Sequence, residues 1–296
     1  MRPVLAITMG DPAGIGPEIC VKALADQGLY EQCVPVVIGD HIAMEDAARY
    51  TGSKLSLRAV ESLAEARGEY GTIDLLDMRL LAPSDYRYGQ VSAACGEAAF
   101  QYILRGIACA MAGEASAVVT GPINKEAIHL AGHPYSGHTE IFAHYTSTQD
   151  YAMLLMGGGL RVIHCTTHVS MRRACELITA PRVCRTIVLA DRAMRQIGLG
   201  DQRIGVAGLN AHCSENGLFG TEESEAILPA IERARAEGID VEGPIPPDTV
   251  FVKALAGQYG IVVAMYHDQG HIPLKLCGFK LDPKTGLFTS MSGINT

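Results

Sequence analysis

Short apolar runs rich in β-branched residues recur along the chain, each closed by a cluster of polar residues, glycine or proline. "VLAIT" at 4–8, "VPVVIG" at 34–39, "SAVVTG" at 116–121, "RVIHCTT" at 161–167, "RIGVAGLN" at 203–210 and "YGIVVAMY" at 259–266 predict six buried strands. Between several of them lie helix-length segments. "SAACGEAAFQYILRGIACAMAG" at 92–113 is apolar on more than one face, and "EESEAILPAIERARAEG" at 222–238 carries apolar positions at helical spacing. Strand and helix alternation predicts an α/β fold rather than an all-helical or all-β one.

The polar residues gather where the strands end. "VLAIT" runs into "MGDPAGIGPE", "SAVVT" into "GPINKE", "RVIHCTT" into His168, "RIGVAGLN" into "AHCSENG" and "GIVVAMY" into "HDQGHIPLK". Ligands of open α/β sheets bind beyond the carboxyl ends of the strands, so five such junctions predict one crevice assembled from distant parts of the chain. Three junctions carry a histidine, at His168, His212 and His267. Their separations match no local metal motif, and any one of them alone reads as a structural or surface residue. Three at equivalent positions suit a divalent transition ion with open coordination positions.

The other candidates each carry two readings. His138 and Thr139 in "SGHTE" form either a phosphate seat at a helix start or an ordinary N-terminus capped by Thr139 or Ser136. Lys275 is either a phosphate ligand or a solvated charge. "GDPAGIGPE" contains neither GxGxxG nor GxxxxGK[ST]; its glycines shape a tight turn into a helix with Pro17 in its first turn, and Asp11 caps that turn or meets a ligand. Gly270 reads as a sharp turn after His267. His133, His164 and His271 read as structural or peripheral.

Composition narrows the classes. With 296 residues, 48% of them hydrophobic, the chain can bury a core without staples. A net charge of −8 and the lack of a Lys/Arg run exclude a nucleic-acid footprint and a basic membrane surface, which leaves a small molecule or a protein as partner. Nine cysteines, an odd number without a CxxC pair, read as reduced thiols. No stretch reaches 18 uninterrupted apolar residues, so a cytoplasmic protein is expected.

Seven motifs, "TMGDPAGIGPE", "TGPINKEAI", "SGHTE", "TTHVS", "GLNAHCSENG", "PPDTVF" and "MYHDQGHIPLK", resemble in order those of the 4-hydroxythreonine-4-phosphate dehydrogenase family of pyridoxal phosphate biosynthesis. The resemblance covers nearly the whole chain. It implies two α/β/α domains of the isocitrate/isopropylmalate-dehydrogenase-like kind with the active site in the interdomain cleft. The expected division is 1–120 plus 260–296 for a discontinuous first domain, and 121–259 for a second domain with the dimer interface.

It further implies a metal-dependent dehydrogenase using NAD, with NADP as the alternative, and a homodimer sharing its active sites. The metal, Zn, Mg, Mn or Co, falls on His168, His212 and His267, one of them from the partner subunit. Substrate contacts fall on His138, Thr139, Lys275 and Asn295. Lys275, Asp268 and a metal-bound water are alternative general bases, and Asp248 in "PPDT" sits in a matching motif without an assigned role.

This chain departs from the family's pattern in having "GHIPLK" for "GLPxLK" and a long connection over 276–294, both resembling the branch that acts on 4-phospho-D-threonate or 4-phospho-D-erythronate. The family's pattern also continues past the position of Thr296, with a substrate-holding arginine. A relative acting on a cyclohexadiene cis-diol dicarboxylate shares "GHIP", while "SGHTE" favours a phosphorylated substrate. The expected reaction is oxidation of a phosphorylated 3-hydroxy acid followed by decarboxylation. A cis-dihydrodiol dicarboxylate dehydrogenase and, from the three histidines alone, a metallohydrolase are the alternatives, with a non-catalytic binding protein behind them.

Overall fold

The structure, a computed structural model, describes residues 2–291 and 293–295, and the chain folds as two compact units, Met1–Gln149 and Asp150–Thr296. In the first unit the elements run β1 (Val4–Thr8), α1 (Gly16–Ala23), α2 (Gln27–Gln32), β2 (Val34–Gly39), α3 (His41–Tyr50), β3 (Ser56–Val60), β4 (Thr72–Asp77), α4 (Ala93–Met111), β5 (Ala117–Thr120), α5 (Lys125–Leu130) and α6 (His138–Tyr145). Five parallel strands form its sheet in the order β3-β4-β2-β1-β5. The order reverses at β1, which has β2 on one side and β5 on the other.

In the second unit the elements run β6 (Leu154–Gly157), β7 (Leu160–His164), α7 (Met171–Leu177), α8 (Ala180–Gln196), β8 (Ile204–Ala207), α9 (Leu228–Ala236), β9 (Val241–Ile245), α10 (Val250–Leu255), β10 (Ile261–Ala264), α11 (His267–Gly278), β11 (Phe279–Leu281), β12 (Phe288–Met291) and β13 (Ile294–Asn295). Its sheet has the order β13-β6-β7-β10-β8-β9, parallel from β7 to β9 and antiparallel at the β6 and β13 edge. β11 and β12 make a separate hairpin.

The expected α/β class holds, and all six predicted strands are present. The division of the chain differs from expectation. Residues 260–296 do not return to the first unit, because β10 lies between β7 and β8 of the second sheet. The physical reason is burial on both faces, which a parallel strand inside a layered fold requires. Ile261 and Val263 face a core shared with Val183, Ile187 and Ile231, while Val262 and Ala264 face another shared with Phe251 and Leu274.

The glycine-rich segment after β1 is used for packing. Gly10 has φ +80°, and a Cβ there would stand 2.4 Å from the Pro122 carbonyl oxygen; one on Gly16 would stand 2.1 Å from that of Met9. Only glycine allows the backbone after β1 to approach the segment after β5 this closely. Asp11 is buried, accepts the Ala13 N–H at 2.8 Å and so closes the turn. Burial raises its pKa, with the Ala13 hydrogen bond opposing. No helix among the described residues is long and apolar enough to cross a membrane.

Candidate active site

β7 and β10 are paired in parallel, with Val262 opposite Val162 and Ala264 opposite His164, so the two chains leave the sheet side by side. The pairing continues beyond the strands. Cys165 N–H reaches the Ala264 carbonyl at 2.8 Å, and the Thr166 hydroxyl reaches that of Met265 at 2.8 Å. Four residues past β7 stands His168, and three past β10 stands His267. Their ring centroids are 5.6 Å apart, and both line a cavity of about 420 Å³ with Thr167, Ser170, Met171 and Asp268.

His267 opens α11, where Asp268 Oδ1 lies 2.7 Å from its Nδ1. A carboxylate only accepts, so this bond places the ring proton on Nδ1 and leaves the Nε2 lone pair for a ligand, the usual arrangement behind metal-binding imidazoles. Gln269 secures the strand ends beneath, accepting the Met265 N–H at 2.6 Å and donating to the Gly208 carbonyl at 2.8 Å.

Two histidines read from sequence as structural or peripheral pack against this pair. His271 stacks on His267 at 3.6 Å and 14°, and its Nδ1 donates to the His267 carbonyl at 2.9 Å. Its ring is in turn 4.8 Å from that of His164. His164 is fully buried, donates from Nδ1 to the Met153 carbonyl at 3.1 Å, and leaves Nε2 without a partner among the described residues. Burial brings its pKa down to about 4, so it stays neutral. The sequence signal was the i, i+4 spacing of His267 and His271, which one helical turn stacks on one face.

Gly270 makes no turn. It lies inside α11, where a Cβ would stand 2.3 Å from His164 Nε2, and it lets the helix pack directly on β7. Lys275 lies two turns beyond His267 on the same helix, exposed and without an ion pair among the described residues. Its charge helps lower the pKa of His271, behind burial and the influence of His267.

His212 is presented differently. After β8 the chain enters a turn in which His212, Cys213, Ser214, Glu215 and Asn216 have φ of +52°, +54°, +65°, +42° and +61°. Left-handed backbone costs L-residues roughly 1–2 kcal/mol each in a helix, so five in succession require strong external support. His212 is exposed on this turn. Burial first, then the charges of Glu223 and Asp248, raise the Cys213 thiol pKa to about 11. Among the described residues no three His, Cys, Asp or Glu side chains come together as a metal-binding group. Of the three histidines expected to hold a metal, the structure brings His168 and His267 together, and no three-residue group that includes His212 forms among the described residues.

In the first unit His138 and Thr139 begin α6, whose N-cap Gly137 gives no side-chain cap; neither Thr139 nor Ser136 fills that role. His138 Nε2 is buried without a partner among the described residues, and burial lowers its pKa against the Gly121 backbone bond. Open N–H groups of a helix start beside a half-buried imidazole suit an anion. His133 is structural, stacked on Phe100 at 3.6 Å and bound to Glu97 at 2.7 Å. Asn295 pairs through its backbone with Leu155, and its side chain lies outside the described part of the chain.

Two adjacent parallel strands that lead to His168 and, beside Asp268, to His267 define an α/β protein with a polar cavity at that sheet end. Residues 31–295 match the family described as "Pyridoxal phosphate biosynthetic protein PdxA", and the chain belongs to this family. It is 48% identical to the D-threonate 4-phosphate dehydrogenase of Cupriavidus necator over 94% of this chain and 84% of that protein. It is 49% identical to the D-threonate 4-phosphate dehydrogenase of Salmonella typhimurium, over 93% of this chain and 84% of that one. A crystal structure of 4-hydroxythreonine-4-phosphate dehydrogenase from Klebsiella pneumoniae superposes with a TM-score of 0.88 at 48% identity, covering 94% of this chain and 84% of that chain.

Proposed function

We propose that the protein is a NAD-linked dehydrogenase that oxidises the secondary hydroxyl of a phosphorylated 3-hydroxy acid of the 4-phospho-D-threonate type. Carbon dioxide is lost from the resulting β-keto acid. The observation that carries this reading is the His168–His267 pair, 5.6 Å apart at the ends of two adjacent parallel strands, with Asp268 orienting His267. It gains weight from 48% and 49% identity to two D-threonate 4-phosphate dehydrogenases. 4-Hydroxy-L-threonine 4-phosphate is the second substrate of the same chemical type, favoured by the 48% identity to the Klebsiella enzyme.

The described residues fit a divalent ion in part: His168 and His267 would hold it, and His212 of a second copy would complete the set in a homodimer. Such an ion supplies Lewis-acid polarisation of the hydroxyl oxygen. The chain's own groups do the rest. Asp268 fixes the His267 tautomer and is thereby a positioning residue rather than the base. Lys275 offers a cation to the substrate, and His138 and Thr139 at the start of α6 receive the phosphate. The proposed framework is isocitrate/isopropylmalate-dehydrogenase-like, with the active site in the cleft between the domains.

The test is NADH formation by metal-reconstituted protein with 4-phospho-D-threonate and 4-hydroxy-L-threonine 4-phosphate in parallel, each with a chelator control. Chelator-sensitive turnover of the first is expected. Turnover that survives rigorous chelation refutes the metal assignment, and turnover of neither compound refutes the substrate class.

A further inference from the structure

The support that the left-handed turn requires converges on one side chain. Glu223 is 3% exposed. Its Oε1 accepts the N–H groups of Leu209 at 2.8 Å and Asn210 at 2.7 Å. Its Oε2 accepts the Asn210 amide at 2.9 Å and the Ser214 hydroxyl. These donors lie on both sides of His212: Leu209 and Asn210 where the chain leaves β8, Ser214 within the turn. Four donors on two oxygens match the capacity of an ionised carboxylate. The neighbouring Glu222 takes the Asn210 amide as well, at 2.8 Å, so Asn210 is held from both acids.

We propose that Glu223 is the positioning residue for His212, clamping a backbone conformation that five non-glycine residues adopt only under constraint and so fixing where the imidazole is presented. The inference rests on the reading of His212 as a metal ligand for its functional meaning, but the clamp itself is testable without it. Burial alone would raise the pKa of Glu223; the hydrogen bonds from Ser214 and Asn210 outweigh it and hold the carboxyl below its ordinary range, in keeping with an ionised acceptor. Glutamine would turn an NH2 group towards donors, and aspartate would fall one methylene short of them.

Three variants of the full chain test this: Glu223→Gln, His212→Ala and the double variant, read by Co²⁺ affinity in equilibrium dialysis and by NMR of ring-labelled histidines. Glu223→Gln should weaken Co²⁺ binding at least tenfold, as losses behind metal ligands do. It should also broaden or multiply the His212 signal while the His168 and His267 signals stay in place. The double variant should bind Co²⁺ no more weakly than His212→Ala. A further loss in the double variant, or an unchanged His212 signal in Glu223→Gln, overturns the proposal.

If His212→Ala leaves Co²⁺ affinity intact, the ligand reading fails, and the His212 signal alone decides the clamp. Should Glu223→Gln not fold, Ser214→Ala removes one donor and leaves the carboxylate bonded. It should perturb the His212 signal in the same way, and no perturbation there overturns the proposal.

Discussion

His164 is the residue on which the pH response of the second unit turns. Its pKa sits at about 4 in the fold against an ordinary 6.5, because burial disfavours the imidazolium. Below 6.5 the unfolded chain takes up a proton that the folded chain refuses, so folding stability is complete above 6.5 and is lost as the pH falls towards 4. The loss over that window is about 3 kcal/mol for this group. His138 and His271 are shifted downwards by burial too and act in the same direction. Urea midpoints measured between pH 7 and pH 4 should fall steeply, and the slope should be shallower in His164→Asn. An equal slope in the variant would place the pH response elsewhere.

Among the elements, α11 shows what sequence could reveal and what it could not. His267 as a strand-end imidazole was legible, because the run Ile261–Ala264 ends abruptly in polar residues. The helical path of 267–278 was not, since Gly270 and Pro273 both argue against a helix interior. Packing overrides that propensity: at Gly270 a side chain would strike His164 Nε2 at 2.3 Å and Val162 Cγ1 at 2.6 Å. Gly270→Ala should therefore destabilise the protein by about 1–3 kcal/mol, the range for overpacking, and push His267 away from His168. Thermal unfolding and Co²⁺ affinity should fall together; a neutral substitution would mean that α11 shifts freely on the sheet. The left-handed turn at 212–216 was equally hidden, because no glycine stands among those five residues to announce it. The predicted strands were legible from apolar runs, whereas β3, with Ser56 and Arg58 inside it, and β9, with Pro244 inside it, lacked that signal.

At the scale of the whole molecule, the lack of a three-residue metal-binding group among the described residues bears on assembly. If a second copy supplies His212, two inactive variants should rescue one another. In a dimer of His168→Ala with His212→Ala, one site carries both lesions and the other carries none. Mixed and reassembled in equal amounts, the two should recover roughly a quarter of the activity, given random pairing of identical protomers. No recovery, with mixed dimers present, would mean that each chain completes its own site. Were the site distributed over two copies, that part of it would be one that no single-chain pattern exposes.

The order β13-β6-β7-β10-β8-β9 has a further consequence during synthesis. β10 is the central partner of both β7 and β8, yet it leaves the ribosome after both of them. Until Ile261–Ala264 emerge, β7 and β8 each present an open edge of apolar backbone with nothing to pair it. Such edges are templates for pairing between chains. The strand that leads to His267 is therefore also the one whose arrival closes both of those edges.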